Sequence, residues 1–526
     1  MNEQPWIRSV RGLGRALAVL ALLVYVGYLV IYLLYAGALF RWPFDYDQGE
    51  GFELYDALLY ARGEWPYRDN TVYPFYASNY PPLFHLLIVP LLALFGPQLV
   101  AGRVLSFLAT LLTGGVIFAV LRREVGGWWI PMISGLAYWA SNYVYQIGPL
   151  CRLHTTMVLF ELLAIVCIAK FEDQEHGRRN LIWGLFFLLC AGYTKQLAIF
   201  TVLAAFSFIF LRNIKKALAA GTALTLTAGL IFWLLNSATA GQWWVNIIQA
   251  NVNSFDYLMS ISLLKQWFRL HPLLILLALG YLIYELFWTR LSVYALWFLF
   301  SLATGALSGK WGAGPGYFLT SIAAAALLSG LAMGRLQRLA ERRGHWAMAG
   351  LTLALPLCYL VQGALLLHLP TSGPLFEPLA RILGVDEEVM AGQCADFAYY
   401  DTIGYTQLGH LPTVADYAAG AEIMRYVRAA GGPVLSEEAM FSLLADEVVV
   451  TNPTQLRNLY ENDLLDITAL TERIYHEEFA LIILRAQFYP DPVLGAIWYT
   501  YEPVETICMN GFLYHLLQPA KKRESE

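Results

Sequence analysis

The chain has 526 residues, 58% hydrophobic and only 14% charged, with a formal net charge of −5. That is too apolar for a soluble globular protein, and the mildly acidic balance excludes nucleic acid as a partner. Runs of 18 or more apolar residues recur through the first 370 positions. Each is long enough to cross hydrocarbon, where only helices satisfy the backbone groups of such runs, so the class is an α-helical polytopic membrane protein.

The N-terminus is basic (Arg8, Arg11, Arg15), then apolar from Ala16 to Leu34 without a small-residue cleavage site, and reads as a retained first span. Eleven spans are expected, at 14–38, 99–121, 128–147, 153–171, 180–194, 196–211, 217–240, 272–289, 291–308, 316–333 and 346–368. Leu83–Phe95, bounded by Pro-Pro and Gly-Pro, is too short to cross and reads as an interfacial or re-entrant helix. Basic residues set the orientation: with the N-terminus in the cytoplasm, Arg122-Arg123, Lys170, Arg178-Arg179, Lys215-Lys216 and Arg342-Arg343 all fall at cytoplasmic ends. An odd number of spans then places the C-terminal region outside a plasma or inner membrane.

The organisation expected is a transmembrane module, 1–369, with a first outer loop at 41–98, and an extracytoplasmic unit, 370–526. In the latter, helical periods (Ala421–Arg428, Thr454–Tyr460, Asp466–Phe479) alternate with apolar runs (Val434-Leu435, Val448–Val450, Leu481–Leu484, Glu505–Cys508), the pattern of a small α/β domain. No glycine-rich phosphate loop is present there. Of the six cysteines, Cys167, Cys190 and Cys358 lie in apolar runs and read as buried packing residues. Cys394 and Cys508 follow the last span, either as a disulfide or as two free thiols.

The densest cluster of chemistry is in the first outer loop: Asp45, Asp47, Glu50, Glu53 and Asp56, with Gly49 and Gly51 among them. Carboxylates at the end of a span can supply a general base and a divalent cation site, magnesium or manganese. Solvation alone is the plain alternative. Aromatics crowd the same loop (Trp42, Phe44, Trp65, Tyr67, Tyr73, Tyr76), as a sugar-stacking surface or an interfacial belt. Arg103, Arg152, Lys195 and Lys310 each stand where an outward span end meets a loop. Singly, each reads as snorkelling; together they point to an anionic ligand.

The order of these stations is similar to the GT-C superfamily, in particular bacterial relatives of the protein O-mannosyltransferases and the lipid A aminoarabinose transferase. The stations are Asp47-Gln48-Gly49-Glu50-Gly51, Gly63–Tyr67, Asn79–Leu83, Phe95-Gly96 and Gly102–Ser106, then Gly148–Arg152, Tyr193–Gln196 and Gly309–Ala313. The resemblance implies a glycosyltransferase with a sugar on a polyprenyl phosphate as donor and an acceptor that is lipid, glycan or protein. It implies Asp47 as catalytic base, Glu50 second, with Asp45 the competitor, and Arg103, Arg152, Lys195 and Lys310 around the donor phosphate. Glu50 and His154 are the candidate metal ligands. This chain departs from its relatives at His154, where they carry an acid, at Gly316 and Thr320, and at Asn79-Tyr80, which replaces a charged pair. Those departures bear on metal ligation and sugar specificity.

Two rival classes remain. Glu161 and Glu285, inside spans, motivate a proton-coupled transporter or a flippase of a lipid-linked sugar, although no inverted repeat is visible. A non-catalytic scaffold would leave the acid cluster and four outer-face cations without a role.

Overall fold

The structure is a computed structural model that describes residues 5–366 and 411–520 and, between them, only Pro378. Sixteen described helices precede the gap. They are α1 (Pro5–Leu39), α2 (Glu50–Ala61), α3 (Leu83–Phe95), α4 (Val100–Glu124), α5 (Trp129–Trp139), α6 (Asn142–Ile147), α7 (His154–Ile168) and α8 (Gly177–Thr194). They continue with α9 (Ile199–Arg212), α10 (Ile214–Ala238), α11 (Gln242–Ile247), α12 (Tyr257–Leu270), α13 (Pro272–Trp288), α14 (Val293–Ala306), α15 (Leu319–Arg343) and α16 (His345–Val361).

Among the described residues every expected span window falls mainly on helix. Length separates them: among the described residues five helices are long and apolar enough to cross a membrane by themselves, or six if the bent pair α12–α13 counts as one. The others are shorter or less apolar, so length alone accounts for fewer crossings than eleven. The chain is nonetheless multi-pass. Where helices break, the cause is local. The 128–147 window is split at Ala140-Ser141 into α5 and α6. Pro272 has no N–H to continue α12, and α13 leaves at 94°. Helix α3 starts on Pro82 and stops at Gly96, whose φ of 71° suits glycine.

Apolar composition does not say which helix is central. Helix α15 carries the run Ser321–Gly334, rich in alanine, glycine and serine, and is almost entirely buried. Small residues let neighbours approach closely: a Cβ on Gly330 would meet Leu121 at 2.3 Å, and one on Gly334 would meet Val125 at 2.5 Å. Helix α10 is just as hydrophobic yet barely buried, so its leucines face lipid. Cys358 is exposed on α16 rather than buried, because the apolar solvent for that face is lipid and not protein. Cys167 and Cys190 are half-buried.

The C-terminal unit holds α17 (Val414–Ala429), β1 (Val434–Ser436), α18 (Ala439–Leu444), α19 (Pro453–Glu461), α20 (Thr468–Tyr475), β2 (Leu481–Leu484), α21 (Asp491–Thr500), β3 (Tyr501–Met509) and β4 (Phe512–Pro519). The sheet order is β1-β2-β4-β3, with β1 and β2 parallel and the remaining pairs antiparallel. Strand β2 reads as an unbroken apolar run because both faces are covered. Ile482 and Leu484 pack with α19, α20 and α21, while Leu481 and Ile483 pack with α17 and with Trp42 and Phe44 of the first outer loop. Asn510-Gly511, both at positive φ, close the β3–β4 hairpin. Val448–Val450, expected as a strand, is instead an extended segment outside the sheet.

Cys508 is disulfide-bonded. Cys394 lies outside the described residues, as does the expected boundary at 369/370.

Candidate active site

The site forms where the 41–98 loop is clamped between the span ends and the C-terminal unit. Arg103, near the start of α4, organises the loop. Its Nε and Nη2 donate to the two oxygens of Glu50, each at 2.8 Å, and its remaining N–H groups go to the backbone carbonyls of Leu39, Trp42 and Phe44. Both side chains are fully buried. The Glu50 carboxylate also accepts from the Cys151 N–H at 2.7 Å and the Tyr46 N–H at 3.0 Å.

Two of the expected site residues, Arg103 and Glu50, are held by the loop itself. All five N–H donors of Arg103 are spent on the loop, so none remains for a donor phosphate. Both Glu50 oxygens accept from donors within the protein rather than facing a cavity. Asp45 is likewise structural. Its carboxylate accepts from the Gly51 and Met440 N–H groups, tying the loop to α18. Burial, then the nearby charges of Glu438 and Glu50, raise its pKa well above the usual range.

Asp47 reaches the smaller of two cavities, as Glu53 reaches the larger. The Asp47 carboxylate pairs with the Arg152 guanidinium, which also lies 3.5 Å from Glu53. Gly49 makes that approach feasible: a Cβ there would stand 2.1 Å from Arg152 Nη1. Lys195, alone in the extended link after α8, places Nζ 2.9 Å from His154 Nε2. It lies 4.6 Å from the centre of the Tyr80 ring and 5.4 Å from that of Tyr317. Burial lowers the Lys195 pKa to about 7. His154 therefore faces two cations, Lys195 and Arg152, which is the wrong company for a metal ligand. Lys310 donates to the Asn251 carbonyl and is half-buried; burial lowers its pKa too.

Two adjoining cavities meet at Arg152 and Tyr80. The smaller, about 50 Å³, lies against the span ends and is lined by Asp47, His154, Gly316 and Tyr317. The larger, about 320 Å³, opens toward the C-terminal unit between Gln48, Glu53, Trp311, Arg457 and Phe488.

Four of the six loop aromatics picked out in the sequence are packed inside the protein, while Trp65 is exposed and Tyr73 half-buried. Trp42, Phe44, Tyr67 and Tyr76 are buried, Trp42 and Phe44 against α17 and the sheet. A feature missed in the sequence is the buried trio Glu53, Asp56 and His85, whose ligand atoms all lie within 4.8 Å of one another. The three-residue step between Glu53 and Asp56 on α2 was legible; His85, arriving from α3, was not. His85 Nε2 is 2.6 Å from Glu53 and 3.6 Å from Asp56. Burial pushes Asp56 up to about 6, and for His85 the two carboxylates outweigh burial and raise its pKa.

A profile of the family described as dolichyl-phosphate-mannose-protein mannosyltransferase matches residues 79–239. The fold is similar to that of ArnT from Cupriavidus metallidurans in the apo state, at 14% identity over 93% of this chain and 98% of that one, TM-score 0.55. It is also similar to ArnT bound to undecaprenyl phosphate, at 15% identity over 94% and 97% of the two chains, TM-score 0.53. The Archaeoglobus fulgidus oligosaccharyltransferase in apo form matches at 13% identity over 97% of this chain and 75% of that one, TM-score 0.52.

The chain has the GT-C glycosyltransferase fold.

No curated protein matches the sequence. Within the GT-C fold, the 41–98 loop and the span ends line both cavities, the C-terminal unit lines the larger one, and Arg152, paired with Asp47, stands at their junction.

Proposed function

We propose that the chain transfers one sugar from a polyprenyl-phosphate donor to an acceptor hydroxyl on the extracytoplasmic face, with inversion. The observation that carries this reading is the grouping of Asp47, Arg152 and His154 around one small cavity at the span ends, with Lys195 held against His154 and the Tyr80 and Tyr317 rings that line it. The acceptor oxygen attacks the anomeric carbon as the bond from that carbon to the phosphate oxygen breaks, and polyprenyl phosphate leaves. Asp47 orients the acceptor hydroxyl and takes its proton. Arg152 and Lys195 stabilise the charge growing on the phosphate. The extracytoplasmic placement is supported by the partition of basic residues and by the disulfide at Cys508, which suits an oxidising compartment. Radiolabelled sugar carried by the purified protein from polyprenyl phosphate to a membrane or cell-wall fraction tests the reading. No transfer by well-folded protein would sink it.

The transporter reading loses its motive. Glu161 accepts from Thr201 and Thr320, each at 2.7 Å, and Glu285 accepts from the Ser292 N–H. Both acids are satisfied locally.

Lys195→Met is expected to weaken binding of undecaprenyl phosphate by about ten- to a hundred-fold, the worth of a desolvated, charge-assisted contact. Lys195→Arg retains more. Because burial lowers the lysine pKa to about 7, the ammonium is present below that pH and lost above it. Affinity should therefore fall as pH rises through 7 in the wild type and not in Lys195→Arg. Equal affinity in the wild type and Lys195→Met takes Lys195 out of the site.

A divalent cation, expected on Glu50 and His154, fits Glu53, Asp56 and His85 better. One imidazole with two carboxylates suits manganese or zinc more than magnesium. A cation there supplies positive charge behind Glu53, on the wall of the larger cavity. Elemental analysis after dialysis against manganese or zinc should find one equivalent in the wild type and none in His85→Ala. A metal-free wild type would leave the trio as a proton-sharing ion pair.

A further inference from the structure

The larger cavity contains an unmet polar demand. Gln48, next in sequence to Asp47, is 7% exposed and lines that cavity, yet neither its amide nitrogen nor its amide oxygen has a hydrogen-bond partner. Buried amides are normally paired, and an orphan beside a cavity points to a ligand that supplies the missing groups. A primary amide offers two donors and one acceptor on one plane, which matches neighbouring hydroxyls that both give and take protons.

The rest of the wall narrows the chemistry. Trp311 and Phe488 meet edge to face, with centroids 5.8 Å apart, and both line the cavity. The two cations on the wall are already compensated. Arg152 carries Asp47 and Glu53, while Arg457 lies over the Trp311 ring at 4.8 Å with its Nε 2.7 Å from Glu461. An anionic ligand here would face Glu53 and would compete with Asp47 for Arg152 and with Glu461 for Arg457. Phe488 is also held in place. Glu437 accepts the backbone N–H groups of residues 485 to 488, so the segment that carries the ring is fixed to the end of β1.

We propose that this cavity is the acceptor subsite and that it takes an uncharged carbohydrate, its ring packed on Trp311 and Phe488 and its hydroxyls read by Gln48. The acceptor is then a glycan, not a peptide and not an anionic headgroup. At about 320 Å³ the cavity is in the size class of small-ligand sites. The assignment rests on the transfer reading, since it makes the bound hydroxyl the one that Asp47 meets.

The test is saturation-transfer NMR on the purified full chain in detergent. The probes are methyl α-mannoside, methyl β-galactoside and maltose, with glucuronate and an N-acetyl-threonine amide as competitors of other classes. Undecaprenyl phosphate binding is measured in parallel. At least one neutral saccharide should receive saturation in its ring protons. Trp311→Ala should abolish that signal, and Gln48→Leu, of nearly the same shape, should weaken it about tenfold or more. Both variants should still bind undecaprenyl phosphate, which shows that they are folded. The subsite assignment is overturned if no neutral saccharide binds, if glucuronate or the threonine amide binds better, or if neither substitution matters. Failure of the wild type to bind undecaprenyl phosphate overturns the transfer reading instead, whatever the saccharides do.

Discussion

Asp47→Asn is expected to slow sugar transfer by about 10²–10⁴-fold, the usual cost of losing a positioned general base. The amide keeps the size of the carboxylate and can still accept from Arg152, so undecaprenyl phosphate binding and thermal stability should stay close to wild type. The informative control is Asp45→Asn. Asp45 is fully buried and holds the Gly51 and Met440 N–H groups, so its substitution acts on the seam between the loop and α18. It should lower the melting temperature while leaving substantial turnover in the folded fraction. A dead Asp45→Asn beside an active Asp47→Asn would exchange the two roles.

Arg103→Met, on α4, should be the single change that most destabilises the 41–98 loop. It strips a fully buried Glu50 of its counter-charge and three backbone carbonyls of their donor. Breaking a buried ion pair from one side costs about 3–5 kcal/mol. Arg103→Met/Glu50→Leu should recover part of that loss, because no unpaired charge remains, but not the part owed to the carbonyls. Unfolding in detergent, followed by circular dichroism, measures both. If Arg103→Met melts like the wild type and only binds polyprenyl phosphate less well, Arg103 belongs in the phosphate site after all.

Between them these two variants separate residues that look alike in the sequence. Asp45 and Asp47 are two positions apart, and both follow a span. Arg103 and Arg152 both sit at span ends that meet the 41–98 loop. Each member of a pair has the same local signal. What differs is the partner that folding brings: Met440, 395 residues from Asp45, for one acid, and Arg152, 105 residues away, for the other. Gln48 was passed over in the sequence for the same reason. An amide in a polar loop is unremarkable until the fold buries it beside a cavity and leaves it unpaired. His85 lay unnoticed inside an apolar run, and only the packing of α3 on α2 sets it between two carboxylates.

The sequence by itself determined the membrane class, the positions of the helices and most of the breaks between them. Those follow from apolar runs, prolines and glycines that act within a few residues of themselves, as at Pro82, Gly96 and Pro272. It also placed helix-and-strand alternation in the C-terminal unit. The tertiary structure alone decided which helix is central and which faces lipid, because lipid and protein interior are equally apolar solvents. It alone decided which charges are spent on structure and which reach a cavity. An ionic group is defined by its partner and by its burial, and for Arg103, Asp47 and Lys195 the nearest partner lies 53, 105 and 41 residues away.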